Sequence, residues 1–132
     1  MTSLITSQCS SMLTNASEQF CRMGDCLDSA YYYQAFRLKI SIAGYYSLKS
    51  ISDMDTYGYM YNNSFVPPAP SQNLLVSNDD GAGNQQFRLY IWLDSASTYF
   101  LVVTTYDSSV TGQFTLIATG LASVTFSPMN AS

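Results

Sequence analysis

Hydrophobic and polar positions alternate with a period of two along most of the chain from residue 31 onward. In "YYYQAFRLKISIAG", Phe36, Leu38, Ile40 and Ile42 fall on one face of an extended strand, and charged or small polar side chains fall on the other. Because successive side chains of a strand point to opposite faces, this period indicates β-strands with one buried face. Helical periodicity is scarce by comparison.

The same alternation recurs in "YYSLKSIS", "TYGYMYNN", "QFRLYIWL", "QFTLIATG" and "ASVTF", with a further short strand in "NLLVS". "TYFLVVTTY" is apolar on both faces, which is typical of a central strand covered on both sides. Turns rich in Gly, Asp, Ser and Pro separate these segments at intervals of roughly 8–12 residues. The pattern predicts an all-β protein, an antiparallel β-sandwich or jelly roll of about 8–9 strands. The side chains expected to face inward are Tyr46, Leu48, Phe87, Leu89, Ile91, Leu93, Phe114, Leu116 and Ala118.

The first thirty residues have few apolar anchors and only weak periodicity. We therefore expect residues 1–30 to form an extended N-terminal segment, a candidate contact between subunits, and residues 31–132 to form the sandwich domain. A chain of 132 residues is long enough for one domain with a hydrophobic core.

Charged residues make up 11% of the chain, against roughly 25% in an average soluble domain. With five Lys and Arg residues and a net charge of −4, the chain is a poor candidate for binding nucleic acid or an anionic membrane. No apolar run approaches the ~20 residues of a membrane-spanning helix. No signal peptide is visible, and we interpret the chain as the mature form of a secreted, extracellular protein. Three sequons make Asn15, Asn62 and Asn130 candidate glycosylation sites.

Three cysteines, Cys9, Cys21 and Cys26, lie in the first fifth of the chain. Any two of them could form a disulfide, and the third thiol would then be buried, free or paired with another molecule. Zinc is disfavoured, because the chain has no histidine and three thiols fall short of the usual four ligands.

From Ile51 onward an ordered set of phrases resembles the bacterial pre-peptidase C-terminal (PPC) domain family: "DMDTYGYMY", "NLLVSNDDG", "QFRLYIWL", "STYFLVVTTY" and "GQFTLIATG". The phrasing looks closer still to repeat domains of large secreted proteins from aquatic invertebrates. The resemblance implies a jelly-roll sandwich that serves as a non-catalytic accessory, adhesive or matrix-binding module, and some relatives bind calcium. Two departures occur. The second acid of the family's "D-x-D" pair falls on Tyr57 when Asp55 is taken as the first, and the usual "A-G-T-Y" turn lacks its glycine.

Two acidic clusters could together hold calcium, which takes six to eight oxygen ligands. The candidate ligands are Asp53, Asp55, Asn78, Asp79 and Asp80, of which Asp55 and Asp80 are the strongest. The alternative is ordinary turn chemistry, because Asn and Asp hydrogen-bond their own backbone in turns.

Aromatic residues are the second unusual feature, with eleven Tyr, seven Phe and one Trp. Tyr57, Tyr59 and Tyr61 would form an outward stripe if Gly58 and Met60 face the core, and Tyr90 with Trp92 would form another on a candidate neighbouring strand. Such rows could contact a protein partner or stack on sugar rings. Alternatively, tyrosines simply fill the face of a sheet, where they are favoured.

Catalysis finds little support, because without histidine there is no Ser-His-Asp or Cys-His arrangement. We expect a non-catalytic extracellular structural protein whose copies self-associate into a homopolymeric filament or matrix, with Ca²⁺ as a candidate stabiliser. The alternative is an accessory module that binds carbohydrate or a matrix protein.

Overall fold

The structure is a computed structural model, and it describes residues 4–20, 31–65, 72–79, 81, 83, 85–106 and 110–129. Ten strands occur in this part of the chain, which contains no helix and therefore none that could cross a membrane. The strands are β1 (Ile5–Leu13), β2 (Glu18–Phe20), β3 (Tyr31–Ile40), β4 (Gly44–Ser52), β5 (Thr56–Asn62), β6 (Leu74–Asn78), β7 (Arg88–Leu93), β8 (Tyr99–Thr105), β9 (Gly112–Gly120) and β10 (Val124–Pro128).

The strands form two antiparallel sheets, and the predicted all-β sandwich is confirmed. One sheet has four strands in the order β1-β9-β4-β7. The other has six, in the order β10-β3-β8-β5-β6, with β2 pairing the start of β3. The core lies between the sheets and includes fully buried Phe36, Leu48, Phe87, Leu101 and Leu116.

Strand β8 is central, as "TYFLVVTTY" predicts. It lies between β3 and β5, and Leu101, Val102, Val103, Thr104 and Thr105 are all buried. One face of β8 contributes to the core between the sheets, and the other contributes Val102 to a second apolar cluster on the outer side of the six-stranded sheet.

The prediction fails at the end of β3. Ile42 was expected to continue the buried face, but β3 ends at Ile40 and the Ile42 side chain is 50% exposed. The chain bends at residues 41–42, and the Tyr46 hydroxyl donates a hydrogen bond to the Ile42 carbonyl oxygen at 2.6 Å. The turn into β4 therefore takes the place of another strand residue.

Part of the N-terminal segment belongs to the sandwich of its own chain. β1 pairs with β9 over nine consecutive residues, from Ile5 opposite Gly120 to Leu13 opposite Gly112. A tight turn over residues 14–17 leads to β2, closed by hydrogen bonds between Thr14 and Ser17. The domain thus begins earlier in the chain than residue 31.

Candidate functional site

The predicted tyrosine stripe on β5 faces away from the core between the sheets, yet it is covered. Gly58 and Met60 point inward, and a Cβ on Gly58 would lie 2.4 Å from the Phe87 ring. Tyr59 and Tyr61 lie in the second apolar cluster and are 6% and 0% exposed. Burial raises the pKa of Tyr61 well above its ordinary value, and the nearby Tyr59 raises it further. Tyr59 and Tyr61 are therefore core residues and Tyr57 is half-buried beside them, which favours the alternative that these tyrosines fill the face of the sheet.

The rings of the β5 stripe stack on one another along the strand. Tyr57 and Tyr59 have centroids 4.8 Å apart at 14°, and Tyr59 and Tyr61 have centroids 6.3 Å apart at 18°. Phe65 tilts against Tyr61 and meets Tyr33 edge-on. These contacts form a small second core on the outer side of the six-stranded sheet.

Tyr90 and Trp92 do form an exposed pair, but on the opposite sheet from Tyr57, Tyr59 and Tyr61 rather than on a strand next to β5. Both lie on β7, an edge strand of the four-stranded sheet, and they are 63% and 53% exposed. Tyr45 on β4, 56% exposed, joins them. Its ring stacks on Tyr90 at 5.4 Å and 10° and meets Trp92 edge-on at 5.2 Å. We call Tyr45, Tyr90 and Trp92 the aromatic triad.

Sequence analysis did not single out Tyr45, although the alternation that places Tyr46 inward places Tyr45 outward. Alternation within β4 does not show which strand pairs with it, and that information was needed to place Tyr45 beside Tyr90 and Trp92. The register of β4 against β7 puts Tyr45 opposite Trp92 and Ser47 opposite Tyr90. Cross-strand pairs on one face are close neighbours, and only pairing could bring these three rings together.

Two cations continue this face beside the triad. Lys49 on β4 lies directly opposite Arg88 on β7. The Arg88 Nε donates a hydrogen bond to the Ser47 hydroxyl at 3.1 Å. A groove of about 480 Å³ lies over this part of the sheet and over β9, lined by Tyr45, Ser47, Lys49, Arg88, Tyr90 and Thr119 among others.

The acidic candidates lie near the strand ends where β5 and β6 run side by side. Gly58 pairs with Asn78, so the residues that precede β5 and those that follow β6 belong to the same end of the ladder. Asp53 is exposed, whereas Asp55 and Asp79 are half-buried and each has a buried Oδ1. Asp80 lies outside the described residues. No group of three His, Cys, Asp or Glu side chains suited to a metal occurs among the residues that the structure describes.

Asn78 closes the turn with its own side chain. Its Oδ1 accepts hydrogen bonds from the backbone N–H of Gly81 at 2.7 Å and of Arg88 at 3.0 Å. Two donors occupy the two lone pairs of an amide oxygen, which leaves that oxygen no capacity for a metal. Asn78 therefore acts through its side chain as a turn residue, the alternative to metal binding that its sequence context left open.

A buried polar cluster lies close to these turns and was not expected. The Ser50 hydroxyl donates to the Gln86 Oε1 at 2.9 Å and lies 2.6 Å from the Thr56 hydroxyl. The Gln86 Nε2 donates to the Met54 carbonyl at 2.8 Å, and the Phe87 backbone N–H donates to the Thr56 Oγ1 at 3.2 Å. The cluster joins β4 to β5 and to the segment before β7.

The remaining candidates are partly described. Cys9 on β1 is a free cysteine, and burial raises the pKa of its thiol. Cys21 and Cys26 lie outside the described residues, so a disulfide between them stays a prediction. Asn15 and Asn62 are exposed at a turn and at the end of β5, as glycosylation would require, and Asn130 lies outside the described residues.

A comparison with models of known protein families gives no match, and a comparison with curated proteins gives none either. The resemblance to the PPC family therefore stays a prediction.

Proposed function

We propose that this protein is a non-catalytic, extracellular structural protomer whose copies self-associate by exchanging strand β1. In the single chain β1 occupies the edge of its own four-stranded sheet. In an assembly, the β1 of one copy would take the same place in the sheet of the next.

The observation that carries this proposal is the contrast between the long pairing of β1 and its weak packing. Nine residues of β1 pair with β9, and alternation places Ile5, Ser7, Cys9, Ser11 and Leu13 on its inward face. Ile5 is 44% exposed, and Cys9 is only partly buried against the core. Of these only Leu13, at 1% exposed, is a fully buried large apolar residue. Burial of one such side chain stabilises by roughly 1.5–3 kcal/mol, so releasing β1 costs little apolar burial.

The backbone ladder, by contrast, is regained in full when another copy supplies the same strand. Strand addition of this kind draws its affinity from main-chain hydrogen bonds. When each copy donates to the next, the contact is head-to-tail and extends into a filament unless its rotation closes a ring. The charge-poor composition is compatible with dense packing of copies, and the exposed sequons at Asn15 and Asn62 support an extracellular location.

The pair Ser10 and Thr115 offers a direct test, because the two are cross-strand partners whose hydroxyl oxygens lie 3.0 Å apart. The variant S10C/T115C is prepared with the native cysteines replaced by Ser, assembled at high protein concentration and oxidised. Denaturing non-reducing electrophoresis then shows which chains are joined. Exchange of β1 predicts a ladder of covalent oligomers, and the S10C single variant is the control that forms dimers at most.

Two results would overturn the proposal. If particles assemble but oxidation gives covalent monomers alone, β1 remains in its own sheet and the contact lies elsewhere. If light scattering finds monomers at every protein concentration, the chain does not self-associate.

Calcium is part of the same proposal as a stabiliser of the loops that hold Asp55, Asp79 and Asp80. Its support is the two buried carboxylate oxygens, Oδ1 of Asp55 and Oδ1 of Asp79, at the end of the β5–β6 ladder. Carboxylate oxygens are the ligands that Ca²⁺ prefers.

A further inference from the structure

We propose that the outer face of the four-stranded sheet binds an anionic saccharide, whose rings contact the aromatic triad and whose acidic group pairs with Lys49 and Arg88. This inference goes beyond the self-association proposed above. The triad lies on β4 and β7, and β7 is the edge of the sheet opposite β1, although the groove beside the triad also reaches Leu4 next to β1.

The first support is the arrangement of three exposed rings that already pack on one another. Tyr45 is held between Tyr90 and Trp92 by one stacked and one edge-on contact. Aromatic pairs of this kind attract each other beyond the effect of area burial, which restrains the rings before any ligand arrives. Restraint in the free protein lowers the entropy lost on binding. The electron-rich faces of the rings suit the C–H groups of a sugar.

The second support is the pairing of like charges. Lys49 and Arg88 are direct cross-strand partners, an arrangement that is unfavourable without a counter-charge. Within the described part of the chain, no acidic side chain forms an ion pair with either of them. An anion bound between the two cations would remove this repulsion. We therefore expect the ligand of the groove to be negatively charged.

The third support is the orientation of the Arg88 guanidinium. Its Nε–H is held by Ser47 at 3.1 Å, so the terminal N–H groups remain for a ligand. A guanidinium binds carboxylate or sulfate oxygens through two parallel N–H donors, more specifically than an ammonium does. The Ser47 and Thr119 hydroxyls line the same groove and can hydrogen-bond sugar hydroxyls. Rings, cations and hydroxyls on one face together match an acidic sugar chain.

The test measures binding of the full chain to three polymers of matched length: dextran sulfate, polygalacturonate and uncharged dextran. Isothermal titration calorimetry at fixed ionic strength gives the affinities for the parent protein and for K49Q/R88Q. The matched control is R37Q/K39Q, which removes two exposed cations from β3 on the other sheet. We expect K49Q/R88Q to weaken binding to the charged polymers by about tenfold or more, whereas R37Q/K39Q changes it little.

The rings are tested separately with W92A, and Y106A serves as the control because Tyr106 is also half-exposed but follows β8. W92A is expected to weaken binding, and Y106A to leave it unchanged. The melting temperature of each variant verifies that it folds. Dextran sulfate and polygalacturonate distinguish a sulfate ester from a carboxylate as the preferred group.

Three results would overturn the inference. Equal losses in K49Q/R88Q and R37Q/K39Q would show attraction by overall charge rather than a site. Equally tight binding of uncharged dextran and the charged polymers would show that Lys49 and Arg88 do not contribute to binding. Absence of binding to all three polymers would remove the site.

Discussion

Ser50, Thr56 and Gln86 form a buried chain of hydrogen bonds inside the sandwich. Ser50 and Thr56 are 1% and 0% exposed. Alternation alone places Ser50 inward, on the face that Leu48 shares. What alternation could not provide is the set of partners, because Thr56 and Gln86 come from other segments that only the folded sheets bring together.

Replacing Thr56 by Val tests this chain of hydrogen bonds. The change keeps the shape of the side chain but removes the oxygen that accepts from the Phe87 N–H and contacts the Ser50 hydroxyl. Leaving buried donors without a partner costs about 1–3 kcal/mol in the free energy of unfolding. Urea denaturation measures this loss. The same change at exposed Thr125 should cost less than about 0.5 kcal/mol, and equal losses at both sites would contradict the account.

At the scale of elements, β5 and β7 carry aromatic rows that look alike in the sequence but differ in exposure: Tyr59 and Tyr61 are buried, whereas Tyr90 and Trp92 are exposed. The alternation correctly predicted that Tyr57, Tyr59 and Tyr61 point away from Gly58 and Met60. It could not predict whether other residues cover that outward face. The cover includes Tyr33 and Phe65, the latter following β5 in an irregular segment without strand periodicity. The exposure of a side chain depends on how the layers pack, and the alternation within one strand does not show what covers its outward face.

The two rows therefore respond differently to truncation. Tyr61→Ala removes a fully buried ring and should lower the free energy of unfolding by about 3–5 kcal/mol. Tyr90→Ala removes a ring that is 63% exposed and should cost below about 1 kcal/mol, since it loses mainly the stacking contact with Tyr45. Thermal or urea unfolding of both variants gives the comparison. A similar cost for both would contradict the assignment of Tyr61 to the core.

At the scale of the whole molecule, strong alternation predicted the sandwich and most of its strands. Strand β1 was not predicted, because hydrophobic and polar residues alternate only weakly along it. The inward face of β1 carries Ile5, which is 44% exposed, and then Ser7, Cys9 and Ser11 before Leu13, so small and polar residues occupy most positions where a hydrophobic pattern would normally appear. The strand forms because β9 offers its edge, a long-range cause that local pattern does not report. The acidic turn after β6 was likewise open from sequence, until the hydrogen bonds of Asn78 showed how its side chain is used.

A bound Ca²⁺, as proposed, would act on the molecule as a whole, because a ligand that binds the folded state alone raises its melting temperature. If Asp55, Asp79 and Asp80 hold Ca²⁺, adding millimolar calcium to chelator-treated protein should raise the melting temperature by several degrees. The variant D55N/D79N should lose that response, while D94N, an exposed turn carboxylate elsewhere, should keep it. An identical melting temperature of the parent protein with calcium and with EDTA would exclude a structural calcium site.

The pairing of β1 with β9 also has a consequence in time. The partners from Leu13 opposite Gly112 to Ile5 opposite Gly120 are separated by about 100 residues of chain or slightly more. At about 5–20 residues per second, a ribosome completes β9 some 5–20 seconds after β1 has been made. Throughout that interval β1 lacks the strand with which it pairs in its own chain. If copies exchange β1 as proposed, β1 of a new chain can pair with an open β9 of another copy before its own β9 has been made.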